Sequence, residues 1–182
     1  TAKKGGTAYI TVTSYNGLTA GCEVAVGKAP SRVTLSAKSM TMGEGQTEVL
    51  TAVLNSGSMG SVSFSSNKEG VASVDANGLV TAVGEGKATI TAKAYNGKKA
   101  GCTVTVVAAP ESLELAKESA SLPAGVKLDL EPRVNKGSYA NYVCTSSDES
   151  VALVNEDGVV TAVAVGTAVI TVTTYNGLSR RG

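Results

Sequence analysis

Gly86-Lys87-Ala88-Thr89-Ile90-Thr91-Ala92-Lys93-Ala94-Tyr95-Asn96-Gly97 alternates apolar and polar side chains and then reaches Asn-Gly. Successive side chains of an extended chain point to opposite sides, so Ala88, Ile90, Ala92 and Ala94 share one face and Thr89, Thr91 and Lys93 the other. The first set predicts a core face. Asn-Gly beside an alternating run is a short hairpin signal, because a type I′ turn needs positive φ at both central residues. The stretch therefore predicts a hairpin that joins 87–94 to 101–107. On the second strand Cys102 has the same parity as Val104 and Val106 and is predicted to face the core as a small hydrophobe.

The tripeptide at the turn recurs as Tyr15-Asn16-Gly17 and Tyr175-Asn176-Gly177, an offset of 80 residues each time. Gly6, Gly86 and Gly166 keep the same offset, as do Ile10, Ile90 and Ile170, Cys22 and Cys102, and Pro30 and Pro110. Residues 1–30 match 81–110 at 16 of 30 positions. The chain is a tandem array. Ala29-Pro30 and Ala109-Pro110 each separate two strand-like runs, and proline cannot continue a ladder, so they mark short junctions. The expected organisation is a strand pair closing a preceding repeat (1–29), a complete repeat (30–109) and a further repeat (110–182) that stops before its last strand.

Composition agrees with an all-β chain. Val (25) and Thr (20) make up a quarter of the 182 residues, the palette of half-buried strands. A net charge of +1 provides no field to hold nucleic acid, and no apolar run approaches the roughly 18 residues of a spanning helix, so neither nucleic-acid binding nor membrane insertion is expected. The chain has no His, which removes Ser-His-Asp and Cys-His nucleophile activation, imidazole metal ligands and the usual base near neutral pH. It opens at Thr1 rather than Met and reads as an excised or processed segment.

Within 30–109, strand signals recur about every 8 to 12 residues, the spacing of a sandwich. Seven strands are predicted, near 32–36, 47–54, 61–65, 71–75, 79–83, 87–94 and 101–107, with Phe64, the single Phe, at the centre of the packing. Asp75-Ala76-Asn77-Gly78 and Asn155-Glu156-Asp157-Gly158 read as equivalent turns between the fourth and fifth strands. The strings Ser65-Ser66-Asn67, Val71-Ala72-Ser73-Val74-Asp75, Asn77-Gly78-Leu79-Val80-Thr81-Ala82-Val83 and Gly86 to Thr91 resemble the signature of bacterial Ig-like domains of group 2 (BIG2). The last repeat carries it again as Ser146-Ser147-Asp148, Val151-Ala152-Leu153-Val154, Gly158-Val159-Val160-Thr161-Ala162-Val163 and Gly166 to Thr171. The resemblance implies tandem immunoglobulin-like β-sandwich domains of the kind found in bacterial surface proteins, in adhesins of the intimin and invasin type, and in phage tail or capsid appendages.

No catalytic, cofactor-binding or metal-ligating residue is expected. Cys22, Cys102 and Cys144 are expected to be buried free thiols; Cys144 has no repeat partner, since the last repeat has Gly182 where the period calls for Cys, and an intermolecular pair with a neighbouring chain is the alternative. The acidic turns Asp75/Asn77 and Asn155/Asp157 offer two or three oxygens where calcium takes six to eight, and turn chemistry accounts for them. Tyr139 and Tyr142 form the one aromatic cluster outside the repeated turn. They could start a glycan platform, but strand-edge packing explains them. Asp148/Glu149 lacks the cleft that acid–base work needs, and Lys3-Lys4, Lys98-Lys99 and Arg180-Arg181 read as solvated tips.

The function expected is non-enzymatic and architectural: a stalk of Ig-like domains on a bacterial or phage surface, partnered by neighbouring repeats of its own or an adjacent chain. The rival is an adhesin module that binds a host surface protein or glycan directly, which long aromatic-rich loops would signal. The cut repeats at the ends are completed either by residues outside 1–182 or by strand exchange between chains. Completion from outside is favoured, because exchange would leave Ala8 to Ser14 without a sheet.

Overall fold

A computed structural model describes residues 5–182; Lys3-Lys4 lies outside the described residues. Every regular element there is a strand. The long alternating runs pair as expected: β1 (Gly6–Thr13) with β2 (Thr19–Val26) forms an antiparallel hairpin whose β1 is exposed along its whole length. The middle repeat contributes β3 (Val33–Leu35), β4 (Ser39–Gly43), β5 (Thr47–Val49), β6 (Ala52–Leu54), β7 (Val62–Ser66), β8 (Ala72–Val74), β9 (Leu79–Ala82), β10 (Gly86–Ala94) and β11 (Lys99–Val107). One sheet has the order β4-β11-β10-β7; opposite it lie β5-β9-β8 and the pair β3-β6. This is the sandwich the sequence predicts.

Between the layers, Ala88 and Ile90 of β10 and Cys102, Val104 and Val106 of β11 meet Met42, Leu50, Ala72, Val80 and Ala82. Ala92 and Ala94 of β10 instead pack with Val33 of β3. The core face read from the alternation is thus the buried one. Phe64 is only half buried; it touches both clusters instead of sitting at the centre of one. Met42, Leu50 and Ile90, each at 0% exposure, fill the centre.

The middle repeat has nine strands where seven are predicted. The run 47–54 breaks at Leu50-Thr51, where the chain changes sheet: β5 pairs with β9 and β6 with β3. Burying Leu50 leaves its N–H to be satisfied outside a ladder, and it donates to the Gly78 carbonyl at 2.8 Å. The second addition, β4, runs parallel to β11 from Ser39↔Thr103 to Val107↔Gly43. Its partner lies more than 60 residues further along the chain, so no local hairpin signal marks it.

The Asn-Gly turn also differs from type I′. Gly97 N donates to Ala94 O at 2.9 Å and Ala94 N to Lys98 O at 2.8 Å. Within the turn only Gly97 has positive φ (87°), since among the described residues Glu131 is the one non-glycine in that region. This is a three-residue loop, Tyr95-Asn96-Gly97, a type I turn closed by a left-handed glycine. The tyrosine is inside the loop, so its ring projects from the end of the repeat.

The third repeat contributes β12 (Leu113–Glu114), β13 (Lys127–Asp129), β14 (Arg133–Val134), β15 (Tyr142–Ser146), β16 (Ala152–Val154), β17 (Val159–Ala162), β18 (Ile170–Thr174) and β19 (Ser179–Arg181). Its sheets, β15-β18-β19, β13-β17-β16 and β12-β14, repeat the middle plan. Leu113, Leu130, Val160, Ile170 and Val172 form its core. β19 matches only the opening of β11. Ser119–Pro123, the stretch 80 residues after β4, has no ladder. Beside it lies a groove of about 490 Å³ lined by Leu122, Leu128, Leu130, Val160 and Ile170, on the side where Cys102, Val104 and Val106 close the middle repeat.

Candidate inter-repeat interface

Each junction is built by the same local chemistry. A junction must turn the chain without wasting backbone donors, and an asparagine does this at both. Asn55 Oδ1 accepts from Ser31 N (2.8 Å) and Arg32 N (3.1 Å). Asn135 Oδ1 accepts from Glu111 N (2.8 Å) and Ser112 N (3.3 Å). The Asn of the repeated tripeptide grips the other side: Asn96 Nδ2 donates to Pro30 O and Asn176 Nδ2 to Pro110 O, both at 2.7 Å. Isolated parallel bridges complete the pattern, Lys28↔Ser58 and Ala108↔Ser138. Each Pro is buried. The linker is therefore clamped to the repeat that follows it.

At the second junction a further layer crosses from the third repeat to the middle one. Tyr175 Oη donates to the Glu44 carbonyl at 2.7 Å. Asn141 Nδ2 donates to Glu48 Oε1 at 2.6 Å, and Tyr139 Oη to Asn141 Oδ1 at 3.0 Å. Glu48 Oε1 also accepts from Gln46 Nε2 at 3.2 Å, and Gln46 Oε1, 3% exposed, accepts from Gly43 N at 3.0 Å. A continuous polar chain thus runs from the buried turn of the middle repeat to the surface of the third. Burial, and after it the charge of Glu44, pushes the Tyr175 phenol up, so the hydroxyl stays a donor at neutral pH.

The contact depends on Gly43 having no side chain. A Cβ there would lie 2.3 Å from Tyr175 Oη and 2.4 Å from the Tyr139 carbonyl oxygen. At the first junction the matching tyrosine, Tyr95, is 61% exposed and lies over Gly60, while Tyr15 is fully exposed. The Tyr-Asn-Gly turns are legible in the sequence, but nothing in it gives Tyr175 a partner or singles out Gly43, Glu44 and Glu48. Glu44 and Tyr175 are 131 residues apart, and nothing in local pattern links them.

The other candidate residues have local partners. Asp75 Oδ1 accepts from Asn77 N (2.9 Å) and Leu79 N (2.8 Å), and Asn155 Oδ1 from Asp157 N (3.1 Å) and Val159 N (2.8 Å); these oxygens close their own turns. Tyr142 packs on the third core and donates to Pro132 O at 3.2 Å, so Tyr139 and Tyr142 serve different neighbours. Hydrogen bonds from the Ser150 hydroxyl and N–H hold the exposed Asp148 carboxyl below its usual range. All three cysteines are free thiols. Cys102 is buried as predicted and burial pushes its thiol up. Cys144, also expected inside, is only half-buried, at the edge of the third core; burial still raises its thiol, against a backbone hydrogen bond from Gly158. Cys22, expected inside, is exposed, because no second layer covers β2 among the described residues.

The profile of the bacterial Ig-like domain (group 2) matches residues 31–104 and again 111–180. The chain is 33% identical over 151 residues to an uncharacterised protein of Clostridium acetobutylicum, which covers 80% of the chain and 16% of that protein. It is 47% identical over 81 residues to the minor capsid protein of Enterobacteria phage T3, covering 44% of the chain and 18% of the relative. It is 40% identical over 81 residues to an A type blood N-acetyl-alpha-D-galactosamine deacetylase of Flavonifractor plautii, covering 43% and 10%. The chain thus spans less than a fifth of the length of each of these relatives. With both repeats matched and the sandwich formed, the chain belongs to the bacterial Ig-like domain (group 2) family.

Proposed function

We propose that the chain is a non-enzymatic spacer, a stalk segment in which residues 30–109 and 110–182 are successive Ig-like domains and 1–29 is the closing strand pair of another. The observation that carries this reading is the second junction, where the linker is clamped by Asn135 and Asn176 and the repeats are joined by Tyr175, Asn141 and Glu48. A linker fixed on one side and a cross-repeat contact on the other limit bending, and limited bending turns repeat number into length. Family membership in bacteria and the capsid relative support a place on the outside of a bacterial cell or phage particle. The deacetylase relative fits the same role, as a module attached to a larger protein. Direct adhesion draws less support, since Tyr139 and Tyr142, the side chains it would use, are engaged with their own neighbours.

Small-angle X-ray scattering of the full chain tests the reading. A spacer gives a curve fitted by one extended conformer across a range of ionic strength. A curve that needs a broad ensemble of inter-repeat angles would remove the basis for the proposal.

A further inference from the structure

The far pole of the third repeat has the same turn as the pole of the middle repeat, but with different side chains. Gly45 N donates to Ala82 O at 2.9 Å and Ala82 N to Gln46 O at 2.9 Å; Gly125 N donates to Ala162 O at 2.8 Å and Ala162 N to Val126 O at 3.0 Å. Both turns are closed from their fourth residue, Gln46 N to Gly43 O at 3.0 Å and Val126 N to Pro123 O at 3.2 Å, and both carry a left-handed glycine, Gly45 (φ 83°) and Gly125 (φ 85°). The backbone is shared. Gly43, Glu44, Gln46 and Glu48 are replaced by Pro123, Ala124, Val126 and Leu128.

The replacements are chemically coupled. Gly43 has an N–H that the chain turns inward, and the buried Gln46 Oε1 satisfies it. Pro123 has no N–H, so its turn needs no acceptor, and Val126 offers none. The first solution leaves bare backbone at the pole and a second amide hydrogen free to hold Glu48. The second places a pyrrolidine ring at the position where even a Cβ would collide with a tyrosine hydroxyl and a carbonyl oxygen, and it removes the Glu48-type carboxylate.

We infer that this turn is a selectivity element for the neighbouring repeat: the Gly43/Gln46/Glu48 form admits and holds a Tyr-Asn-Gly hairpin from the next Ig-like repeat, and the Pro123/Val126/Leu128 form refuses it. The partner class of the first form is an Ig-like repeat whose hairpin tyrosine can donate to the Glu44 carbonyl and whose adjoining loop offers an amide or hydroxyl to Glu48. The inference rests on the spacer reading, and it adds to that reading which pole can be stacked upon.

Transplanting one turn onto the other within the full chain provides the test. Gly43→Pro with Gln46→Val removes the N–H and its acceptor together, while the Glu44 N to Val107 O bond of 2.9 Å stays available to hold β4. Residual dipolar couplings from residues 30–109 and 110–182 are fitted separately. Wild type is expected to give one common alignment tensor and the double variant two. A common tensor in both proteins overturns the inference and leaves the spacer reading standing; two tensors already in wild type overturn both. Should the double variant misfold, Gly43→Ala carries the test, because its methyl group alone meets Tyr175 and Tyr139. The same couplings are then expected to give two tensors for Gly43→Ala, and a common tensor contradicts the inference.

Discussion

The two junctions share a linker clamp and differ in what stands before it. Lys28 to Pro30 follows the bare hairpin β1-β2, and Ala108 to Pro110 follows a complete sandwich. The Asn55 and Asn96 bonds of the first are matched by the Asn135 and Asn176 bonds of the second. Only the second has Tyr175 on Glu44 and Asn141 on Glu48. The comparison separates two jobs that a single junction would confound. Asparagines shape the linker at both junctions; at the second, Tyr175 and the loop at 139–141 also contact the preceding repeat.

The strands that lead into the junctions give the largest expected difference. Cys22 on β2 is exposed, whereas Cys102 on β11 is at 0% exposure and its thiol is raised by burial. Reaction with a thiol reagent at Cys102 must await opening of the sandwich, so labelling followed by mass spectrometry should find it at least about a thousandfold slower than at Cys22. Comparable rates would mean that β11 is not the closed strand described.

The clamp itself should be equal at the two sites. Asn55→Ala and Asn135→Ala each strip an acceptor from two backbone N–H groups that are largely open to water, at a cost of about 1 kcal/mol to the repeat concerned, read by denaturant unfolding. A large inequality would break the equivalence of the clamps. Gly97→Val and Gly177→Val test the hairpins beside them. Both glycines have left-handed φ, 87° and 89°, and open space around them, so backbone strain alone acts and about 1–3 kcal/mol should be lost in either case. A variant as stable as its parent would show that the turn can relax.

The smallest effect discriminates best between the junctions. Tyr175→Phe loses one hydrogen bond and should cost about 1 kcal/mol in the coupling between repeats, while Tyr95→Phe should stay within about 0.5 kcal/mol of wild type. Equal effects would place the importance of these hydroxyls somewhere other than the cross-repeat bond.

How much of this was legible depended on the range of the interaction. β10 and β11 could be read because their alternation is long and their turn adjacent. β4 could not, since Met40 and Met42 acquire meaning only beside β11, and the break at Leu50 appears only when two sheets compete for one run. Cys22 and Cys102 share Ala-Gly before them and the same alternating valines after them but have opposite exposure among the described residues, because burial comes from the second layer and not from the strand. The repeated tripeptide showed where the turns lie. That its tyrosine reaches a neighbour follows from the three-residue loop and from Gly43, neither of which a periodicity records.

The central claim is that the second junction holds its two repeats in one arrangement. Spin labels at Lys68→Cys and Glu149→Cys, both exposed positions, in a background with Cys22→Ser and Cys144→Ala, place one probe on each repeat and leave the buried Cys102 unlabelled. Double electron–electron resonance should then give a single narrow distance distribution that broadens when Tyr175→Phe and Asn141→Ala are combined; a broad distribution in the parent, unchanged by those substitutions, would contradict the account.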